Sequence, residues 1–381
     1  MEYVRIGDIC SKVCSGGTPA SSNPHYYNGG IPWLNTNEVN FCNIYATNKT
    51  ISKEGLEHSA AKYIPENTVI VAMYGVTAGK SAIAKIPLTT NQACCNLVID
   101  ENKADYQYVY YFLKQQSDNL NKLANGGAQQ NLNSQIIKKY KIALPALDVQ
   151  HRIASILSTY DTLIENNTKR IRLLEKMAEN LYKEWFVRFR FPGHEKVEME
   201  NGLPKEWKMT RYGEVTVISA GGDKPSVYSE KLTPECAIPI YSNGVDNFGL
   251  YGYTNEAKVK EPSITISARG TVGFVAIRRS PFVPIVRLLS VVPKKGLDVY
   301  YLYFASKNND LEGNGTSQQQ LTVPMLKKRK LVIPTNELLR EFGAKCTLVY
   351  KQIDNLQKQN SLLARQRDLL LPRLMSGKLE V

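Results

Sequence analysis

The sequence is poor in the residues that catalysis and metal binding most often use. It contains only four histidines, far apart at positions 25, 58, 151 and 194, and seven cysteines, of which no two form a C-x-x-C pair. Zinc sites need such ligands at characteristic spacings, so we expect no metal and no other cofactor. In the absence of such spacings we expect the seven cysteines to be reduced and mostly buried thiols.

Long apolar runs are also missing. No stretch reaches the roughly 20 apolar residues that span a bilayer, and the first residues, Met1–Arg5, carry no signal-peptide pattern. We therefore expect a cytoplasmic protein without a membrane partner.

Acidic residues are too few to balance the basic ones. Lys and Arg number 48 against 35 Asp and Glu, which gives a net charge of +13. Such a surplus suits a polyanionic partner such as nucleic acid. The 381 residues are enough for two or three domains, each with its own core.

The common catalytic motifs are absent or incomplete. Gly75–Ser81 resembles a phosphate-binding loop but is one residue short, because position 74 is Tyr74, and a strand–turn–strand fits it better. Asp246 with Glu256 and Lys258 is a loose nuclease-like pattern that lacks its supporting proline. No G-x-S-x-G, H-E-x-x-H, N-P-P-[YFW] or dinucleotide fingerprint occurs. The sequence predicts a binding protein rather than an enzyme.

The strongest positive feature is a duplication. Asn125–Leu132 and Asn314–Leu321 each contain a Gly-x-x-Gln turn, and each is followed by a basic run and a closing proline, Pro145 or Pro334, at a constant offset of 189 positions. A period this long indicates a duplicated domain rather than a solenoid repeat.

Each copy begins with a mixed segment and ends in a long helical stretch. Short apolar runs predict strands at Thr68–Ala72, Cys95–Ile99, Ser263–Ile266 and Leu288–Val292, and short helices are predicted at 106–116 and 299–307. We expect an α+β fold with a first domain at 1–146, a first long helix at 147–187, a linker at 188–205, a second domain at 206–335, and a second long helix with its tail at 336–381.

Both long stretches show the apolar pattern of a coiled coil, in which the spacing alternates between four and three residues. In the first stretch these positions are Ile153, Leu157, Tyr160, Ile164, Asn167, Ile171, Leu174, Ala178, Leu181 and Trp185. In the second they are Phe342, Cys346, Val349, Ile353, Leu356, Asn360, Leu363, Arg367, Leu370 and Leu374.

The two asparagines in these stripes indicate how the helices pair. A parallel pair would set each asparagine against an apolar residue, at a cost on the order of 1–3 kcal/mol each. In an antiparallel pair with Ile153 opposite Leu374, Asn167 meets Asn360. The same register sets Trp185 against Phe342 and Arg367 against Tyr160, with a cation–π contact in the second case. We predict an antiparallel coiled coil with Asn167 and Asn360 fixing its register, which makes a dumb-bell with pseudo-two-fold symmetry.

Loops in both copies combine amide, hydroxyl and basic side chains. Asn and Gln can bridge adenine edges, Arg and Lys guanine edges, and hydroxyls either. We predict DNA contacts from Asn35, Thr36, Asn37, Tyr74, Lys80, Gln129 and Gln130 in the first copy, and from Ser242, Asn243, Arg269, Thr271, Gln318 and Gln319 in the second. The basic runs Lys138–Lys139 and Lys327–Lys330 would meet phosphates. A structural use of the turns, with the lysines as a solvated face, stays open.

Several short motifs are specific when taken together. They are Val4–Ile9 with Ser15–Pro19, Gly202–Trp207 before Tyr212–Val215, the two Gly-x-x-Gln turns, Gln150–Leu157, and the closing Leu369–Leu379. Over essentially its whole length the chain thus resembles the DNA-specificity (S) subunit of type I restriction–modification systems.

The resemblance implies a non-catalytic subunit with two target-recognition domains, each reading one half of a bipartite, asymmetric DNA site. The long helices would set the gap between the half-sites and dock two modification (adenine methyltransferase) subunits. Restriction (motor–nuclease) subunits would join that core if the system has them.

Two other classes of protein remain open at this point. One is an enzyme in which these domains are fused to a methyltransferase or nuclease, and such a chain should carry catalytic motifs. The other is a protein-binding structural adaptor without DNA specificity. A DNA reader that neutralises several phosphates should lose affinity steeply with salt, whereas an adaptor should show no such slope.

Overall fold

The computed structural model describes residues 2–125, 132–309, 311 and 320–381. Contacts within the chain divide it into two compact units, Met1–Asn167 with Lys358–Val381 and Thr168–Gln357. Each unit holds one of the duplicated α+β domains, which we call the first and the second head, together with part of each long helix. The sequence-based domain boundaries at 146, 187, 205 and 335 separate the heads from the helices, whereas the contact-based division cuts through both helices. The sequence-based boundaries stay a prediction.

The first head is built on a five-stranded and a three-stranded sheet. Its strands are β1 (Glu2–Arg5), β2 (Cys10–Ser15), β3 (Tyr27–Leu34), β4 (Asn43–Ile44), β5 (Lys49–Ile51), β6 (Val69–Ala72), β7 (Ser81–Ala84), β8 (Thr89–Thr90), β9 (Cys94–Ile99) and β10 (Lys141–Leu144). Its helices are α1 (Lys53–Glu57), α2 (Tyr106–Gln115), α3 (Ser117–Asn125) and α4 (Ser134–Lys139). The sheet orders are β2-β9-β6-β7-β4 and β5-β3-β8, and β1 pairs with β10. All four residues of β6 are buried, which explains its continuous apolar run.

The remaining chain has the following elements. The strands are β11 (Met199–Glu200), β12 (Leu203–Pro204), β13 (Lys208–Arg211), β14 (Thr216–Ala220), β15 (Ile238–Tyr241), β16 (Leu250–Thr254), β17 (Ser263–Ile266), β18 (Val275–Arg278), β19 (Val283–Pro284), β20 (Leu289–Pro293) and β21 (Lys330–Ile333). The helices are α5 (Leu147–Tyr182), α6 (Tyr212–Val215), α7 (Val299–Asn308), α8 (Val323–Lys328) and α9 (Asn336–Met375).

The two heads repeat one topology. The orders β14-β20-β17-β18 and β16-β15-β19 in the second head match β2-β9-β6-β7 and β5-β3-β8 in the first, and β13 pairs with β21 as β1 pairs with β10. A buried tyrosine bonds the same edge pair in both: Tyr108 donates to the carbonyl of Ala143 (2.7 Å) and Tyr301 to that of Val332 (2.5 Å). The duplication predicted from the sequence is confirmed.

The elements predicted from the apolar pattern are also confirmed. The four predicted strands are β6, β9, β17 and β20, and the two short helices are α2 and α7, each within one residue of its predicted bounds. The first long helix is α5 with a π-helical turn at Lys183–Val187, and the second is α9.

In the first unit the two long helices pack antiparallel. Asp161 of α5 forms an ion pair with Arg367 of α9, and the Asn167 amide lies 3.5 Å from Oε1 of Gln359. As the α5 residue number rises from 161 to 167, the number of its α9 partner falls from 367 to 359, as expected for antiparallel helices. Each contact is displaced by one residue from the predicted pair.

Apolar stripe positions that pack in one core here are Ile153, Leu157 and Leu374. The antiparallel arrangement is confirmed in this unit, while the direct Asn167–Asn360 pair stays a prediction.

The partner of Arg367 differs from the predicted one. Its guanidinium bonds to Asp161 rather than to the ring of Tyr160, and the other Asp161 oxygen accepts a 2.6 Å bond from the hydroxyl of Tyr111. Arg367 and Asp161 are only 12% and 18% exposed. Because a largely buried cation needs a counter-charge, the carboxylate one residue along satisfies it better than an aromatic face.

In the second unit the helices meet through aromatic side chains. The predicted contact of Trp185 with Phe342 is present, with ring centroids 6.0 Å apart, and Phe186 lies edge-on to Phe342 at 5.0 Å. Trp185 and Phe186 are consecutive residues, and both are buried. They lie in the π-helical turn that ends the first long helix, a rare single-turn departure from α-helical geometry.

Each head is bonded to a long helix through a carboxylate at the equivalent position. Asn43 and Tyr45 of the first head donate to Glu165 of α5 at 2.5 and 3.0 Å. Arg279 of the second head donates to both oxygens of Asp354 of α9 at 2.5 Å. Glu165 and Asp354 are separated by the same offset of 189 as the repeated turns. The helix position is therefore repeated, while the head groups that bind it differ.

We predict that Asn167 and Asn360 act as a pair. Asn167→Leu alone should lower the free energy of unfolding by about 1–3 kcal/mol, because the other amide then loses a polar neighbour. The double variant with Asn360→Leu should be at least as stable as the original protein. Denaturant unfolding of both single variants and the double variant measures the coupling. Strictly additive effects would show that the two residues do not interact.

Candidate nucleic-acid interface

In the first head, the residues predicted to contact DNA lie on two connections that are bonded together. Asn35–Asn37 follows β3, and Tyr74–Lys80 joins β6 to β7. The hydroxyl of Thr77 donates a 2.6 Å hydrogen bond to the carbonyl of Thr36 and so links them. Asn37 and Tyr74 are exposed. The structure thus brings together the candidates Asn35, Thr36, Asn37, Tyr74 and Lys80.

The connection between β6 and β7 is a hairpin rather than a phosphate-binding loop, as predicted. The two strands pair antiparallel, and Gly75 and Gly79 have φ of +78° and +83°. A Cβ atom on Gly79 would lie 2.7 Å from the carbonyl oxygen of Ser117, so this glycine lets the hairpin pack on α3. Lys80 donates a 2.8 Å bond to the side-chain oxygen of Asn40.

Two lysines flank an aromatic ring beside this hairpin. The ring centroid of Phe41 is 5.9 Å from Nζ of Lys80 and 5.6 Å from Nζ of Lys114. All three side chains line a cleft of about 470 Å³. Burial lowers the pKa of Lys114. Two cations beside an aromatic face are suited to a nucleic-acid backbone and a neighbouring base.

In the second head, the side chain of Asn243 connects three loops. Its Oδ1 accepts a 2.8 Å bond from the amide of Ala268, and its Nδ2 donates a 2.7 Å bond to the carbonyl of Val286. Asn243 and Ser242 follow β15, and both are half-buried. These bonds give Asn243 a positioning role, and its predicted contact with a base stays a prediction.

Arg269 and Thr271 lie exposed on the turn between β17 and β18. Arg269 donates to Oε1 of Gln320 at 3.4 Å. The neighbouring candidates Gln318 and Gln319, and their counterparts Gln129 and Gln130, lie outside the described residues. Of the predicted phosphate-binding lysines, Lys138 and Lys139 lie in the last turn of α4, Lys327 and Lys328 lie in the last turn of α8, and Lys330 begins β21; all of them except Lys138 are exposed.

Each head contains a phenylalanine in the left-handed conformation. Phe41 and Phe248 each have φ of 53°, and each lies seven residues after the last residue of the equivalent strand, β3 or β15. Each also follows an asparagine, Asn40 or Asn247. A non-glycine residue in this conformation costs about 1–2 kcal/mol. The repeated Asn-Phe pair is visible in the sequence, but its backbone conformation is not.

A buried arginine lies beneath the second of these residues. Arg278 is 6% exposed and donates to the carbonyl of Phe248 at 2.6 Å and to the hydroxyl of Thr265 at 3.0 Å. Its guanidinium carbon is 3.5 Å from the ring centroid of Tyr241. Burial lowers the pKa of Arg278 to about 10, so the side chain remains charged at neutral pH.

The cysteines have the environment of structural residues. Cys94, Cys95, Cys236 and Cys346 are buried, and none of the seven thiols is in a disulfide. Burial raises the pKa of Cys95 and of Cys346 to about 12, which keeps them protonated and unreactive.

Within residues 2–125, 132–309, 311 and 320–381 no group of three His, Cys, Asp or Glu side chains is arranged to hold a metal ion. In the same residues no helix combines the length and apolar character needed to cross a membrane.

We predict that Gly79 and Gly75 respond differently to substitution. Both have a left-handed φ, so alanine at either should cost about 1–2 kcal/mol of folding free energy. Gly79→Ala should cost roughly 1–3 kcal/mol more, because its Cβ would press on the backbone of α3 while that of Gly75 meets open space. Denaturant unfolding of the two variants measures the difference. Equal losses would mean that the hairpin does not pack on α3 as described.

Comparison with known proteins assigns a family to this arrangement. The family model described as "Type I restriction modification DNA specificity domain" matches residues 1–176 and 204–361. The type I restriction enzyme MjaIX specificity subunit of Methanocaldococcus jannaschii is 28% identical over 405 residues, covering 99% of this chain and 93% of the relative. The EcoR124I/EcoR124II specificity subunit of Escherichia coli is 28% identical over 207 residues, covering 52% of this chain and 50% of the relative.

A solved structure shows the same fold. The crystal structure of a type I restriction–modification S subunit from M. genitalium covers 98% of this chain and 95% of its own, with a TM-score of 0.60 and 21% sequence identity. The family model covers both heads and most of both long helices. The chain therefore belongs to the family of type I restriction–modification DNA specificity subunits.

Proposed function

We propose that each head of this specificity subunit reads one half of a bipartite double-stranded DNA site. As a member of its family the protein is a non-catalytic DNA-recognition subunit that works in a complex with modification subunits. The duplication supports two half-sites, because each head has its own sheets, its own hairpin and its own set of exposed polar loops. The alternative of an adaptor without DNA specificity gains no support from the family match.

The differences between the heads support an asymmetric site. The hairpin of the first head carries Tyr74 and Lys80, and the equivalent turn of the second head carries Arg269 and Thr271. Their hydrogen-bonding patterns differ, so two such surfaces favour different bases. The net charge of +13 adds attraction to the phosphates that does not depend on base sequence.

The long helices carry exposed apolar residues that support the docking of partner subunits. In the first unit they are Leu163, Leu362 and Leu369, and in the second unit Leu173, Met177 and Leu348. Apolar side chains that stay exposed on the helices are available to a protein partner that covers them. We infer that they receive two modification subunits, one for each head. Restriction subunits would join the complex if the system has them, and the assembly would act in the cytoplasm.

We predict that the chain directs adenine methylation to a split sequence. Single-molecule sequencing of a genome exposed to this chain with its modification subunit should show two constant half-sites separated by a fixed gap. The modification subunit alone provides the control and should leave that motif unmethylated. Absence of any motif from a soluble complex would contradict the proposal.

We predict that the paired helices determine the gap. Deleting Asn166–Arg172 together with Asn355–Ser361 removes seven residues from each helix, preserves the stripe phase and keeps Glu165 and Asp354. At 1.5 Å per residue the helices shorten by about 10 Å, so the preferred gap should shrink by roughly three base pairs. Methylation mapping should show both half-sites unchanged. Deleting only one of the two segments breaks the pairing register and should abolish methylation. Altered half-sites in the double deletion would refute the idea that the helices act as a ruler.

A further inference from the structure

The second head presents an exposed aromatic side chain on a strained turn. Asn247, Phe248 and Gly249 follow one another with φ of 47°, 53° and 78°, so three consecutive residues are left-handed. A Cβ atom on Gly249 would overlap the carbonyl oxygen of Ser242, so only glycine fits there. The backbone amide of Ser242 donates a 2.8 Å hydrogen bond to the carbonyl of Gly249. Phe248 is nevertheless 59% exposed. Its ring therefore gains little from burial in this head, although its backbone is held in an unfavourable conformation.

Arg278 is the residue that holds this turn in place. Its 2.6 Å bond to the carbonyl of Phe248 comes from a side chain that is itself buried between Tyr241 and Thr265. Among the described residues no carboxylate forms an ion pair with Arg278. Burying a cation without a counter-charge is costly unless its donors are satisfied. One of its hydrogen bonds goes to the Thr265 hydroxyl in β17 and another to the Phe248 carbonyl in the β15–β16 connection, so Arg278 ties that connection to the sheet.

The turn with Phe248 is hydrogen-bonded to the loops that are predicted to contact DNA. Ser242 bonds to Gly249 at the base of the turn, and the next residue, Asn243, bonds to Ala268, which precedes Arg269. The turn with Phe248 and the turn with Arg269 are thus linked through two adjacent residues. Backbone strain that persists beside such loops is commonly part of a binding function.

The first head shows the same feature in a different setting. Phe41 has the same φ of 53° and the same distance from its strand, but its ring is half-buried and flanked by Lys80 and Lys114. The left-handed phenylalanine therefore occupies an equivalent position in both heads. Because its neighbours differ, we infer that the contact it makes differs between the heads.

We propose that Phe248 contacts the bases of the half-site read by the second head, and that Arg278 is the positioning residue that holds its ring toward the DNA. The contact is apolar, against a base face, a base step or a thymine methyl group. This inference rests on the proposed function, because it assigns a specificity-determining residue to one of the two heads.

The test uses the full chain in complex with its modification subunit. Methylation mapping with Phe248→Ala should show a relaxed second half-site and an unchanged first half-site, so the first head is an internal control. Affinity for DNA carrying the full site should fall roughly 5- to 100-fold, as for loss of one good base contact. The slope of log affinity against log salt should stay the same, since no charge is removed. Met209→Ala, an apolar side chain of the same unit that is 54% exposed on β13, is the matched control and should change neither half-site.

The variant Arg278→Lys tests whether Arg278 positions Phe248 or only stabilises the fold of the second head. It keeps the charge but loses the planar fork, so it should relax the same half-site, and combining it with Phe248→Ala should add little further relaxation. Thermal melting shows whether the second head stays folded. If Arg278→Lys unfolds it, the result with Phe248→Ala alone decides.

The possible failures are distinguishable. A sharp, unchanged second half-site in Phe248→Ala would overturn the inference while leaving the split-site function in place. A changed first half-site would also overturn it, because the effect would then not belong to the second head. A mapping experiment in which the original chain yields no split motif would overturn the proposed function itself.

Discussion

The antiparallel packing of α5 on α9 is the constraint on which the rest of the structure depends. In the first unit it is made by Asp161 with Arg367 and Asn167 with Gln359. In the second unit Trp185 and Phe186, in the π-helical turn that follows α5, pack against Phe342 of α9. The apolar positions of such a stripe bind with little preference for register, because one apolar contact resembles another. The polar members specify the register, since a shift would leave them facing apolar neighbours.

The helix pairing also determines where the heads attach. Glu165 and Asp354 occupy equivalent positions on the two helices and accept hydrogen bonds from the first and second head respectively. The first head uses a neutral amide and a phenol, whereas the second uses a bidentate arginine. Arg–carboxylate bonding of this kind has a fixed planar geometry, so it orients a head as well as attaching it. The carboxylate is thus a shared feature of the scaffold, and each head supplies its own partner.

Within the heads, the conserved and the divergent parts of the duplication have different physical roles. Apart from β4 at the edge of the larger sheet of the first head, the sheet orders are the same in both heads, as are the tyrosine-to-carbonyl bonds of Tyr108 and Tyr301, because these features hold the core together. The loops that leave the sheets differ in charge and in hydrogen-bonding groups. Lys80 bonds to Asn40 in the first head, and Arg278 bonds to the backbone of Phe248 in the second. Two copies of one framework can therefore present two different surfaces to DNA.

The sequence by itself determined the elements that depend on local periodicity. The runs that became β6 and β17 and the two long helical stretches followed from apolar spacing, since burial of one face is encoded within each segment. The antiparallel pairing followed from the two asparagines within the apolar stripes. Only the tertiary structure decided the partners of individual polar side chains. Arg367 bonds to Asp161 rather than to Tyr160, Asn243 is held by Ala268 and Val286, and Arg278 secures the left-handed Phe248. These partners come from distant parts of the chain, and a buried charge or amide takes whichever group the completed fold brings within bonding distance.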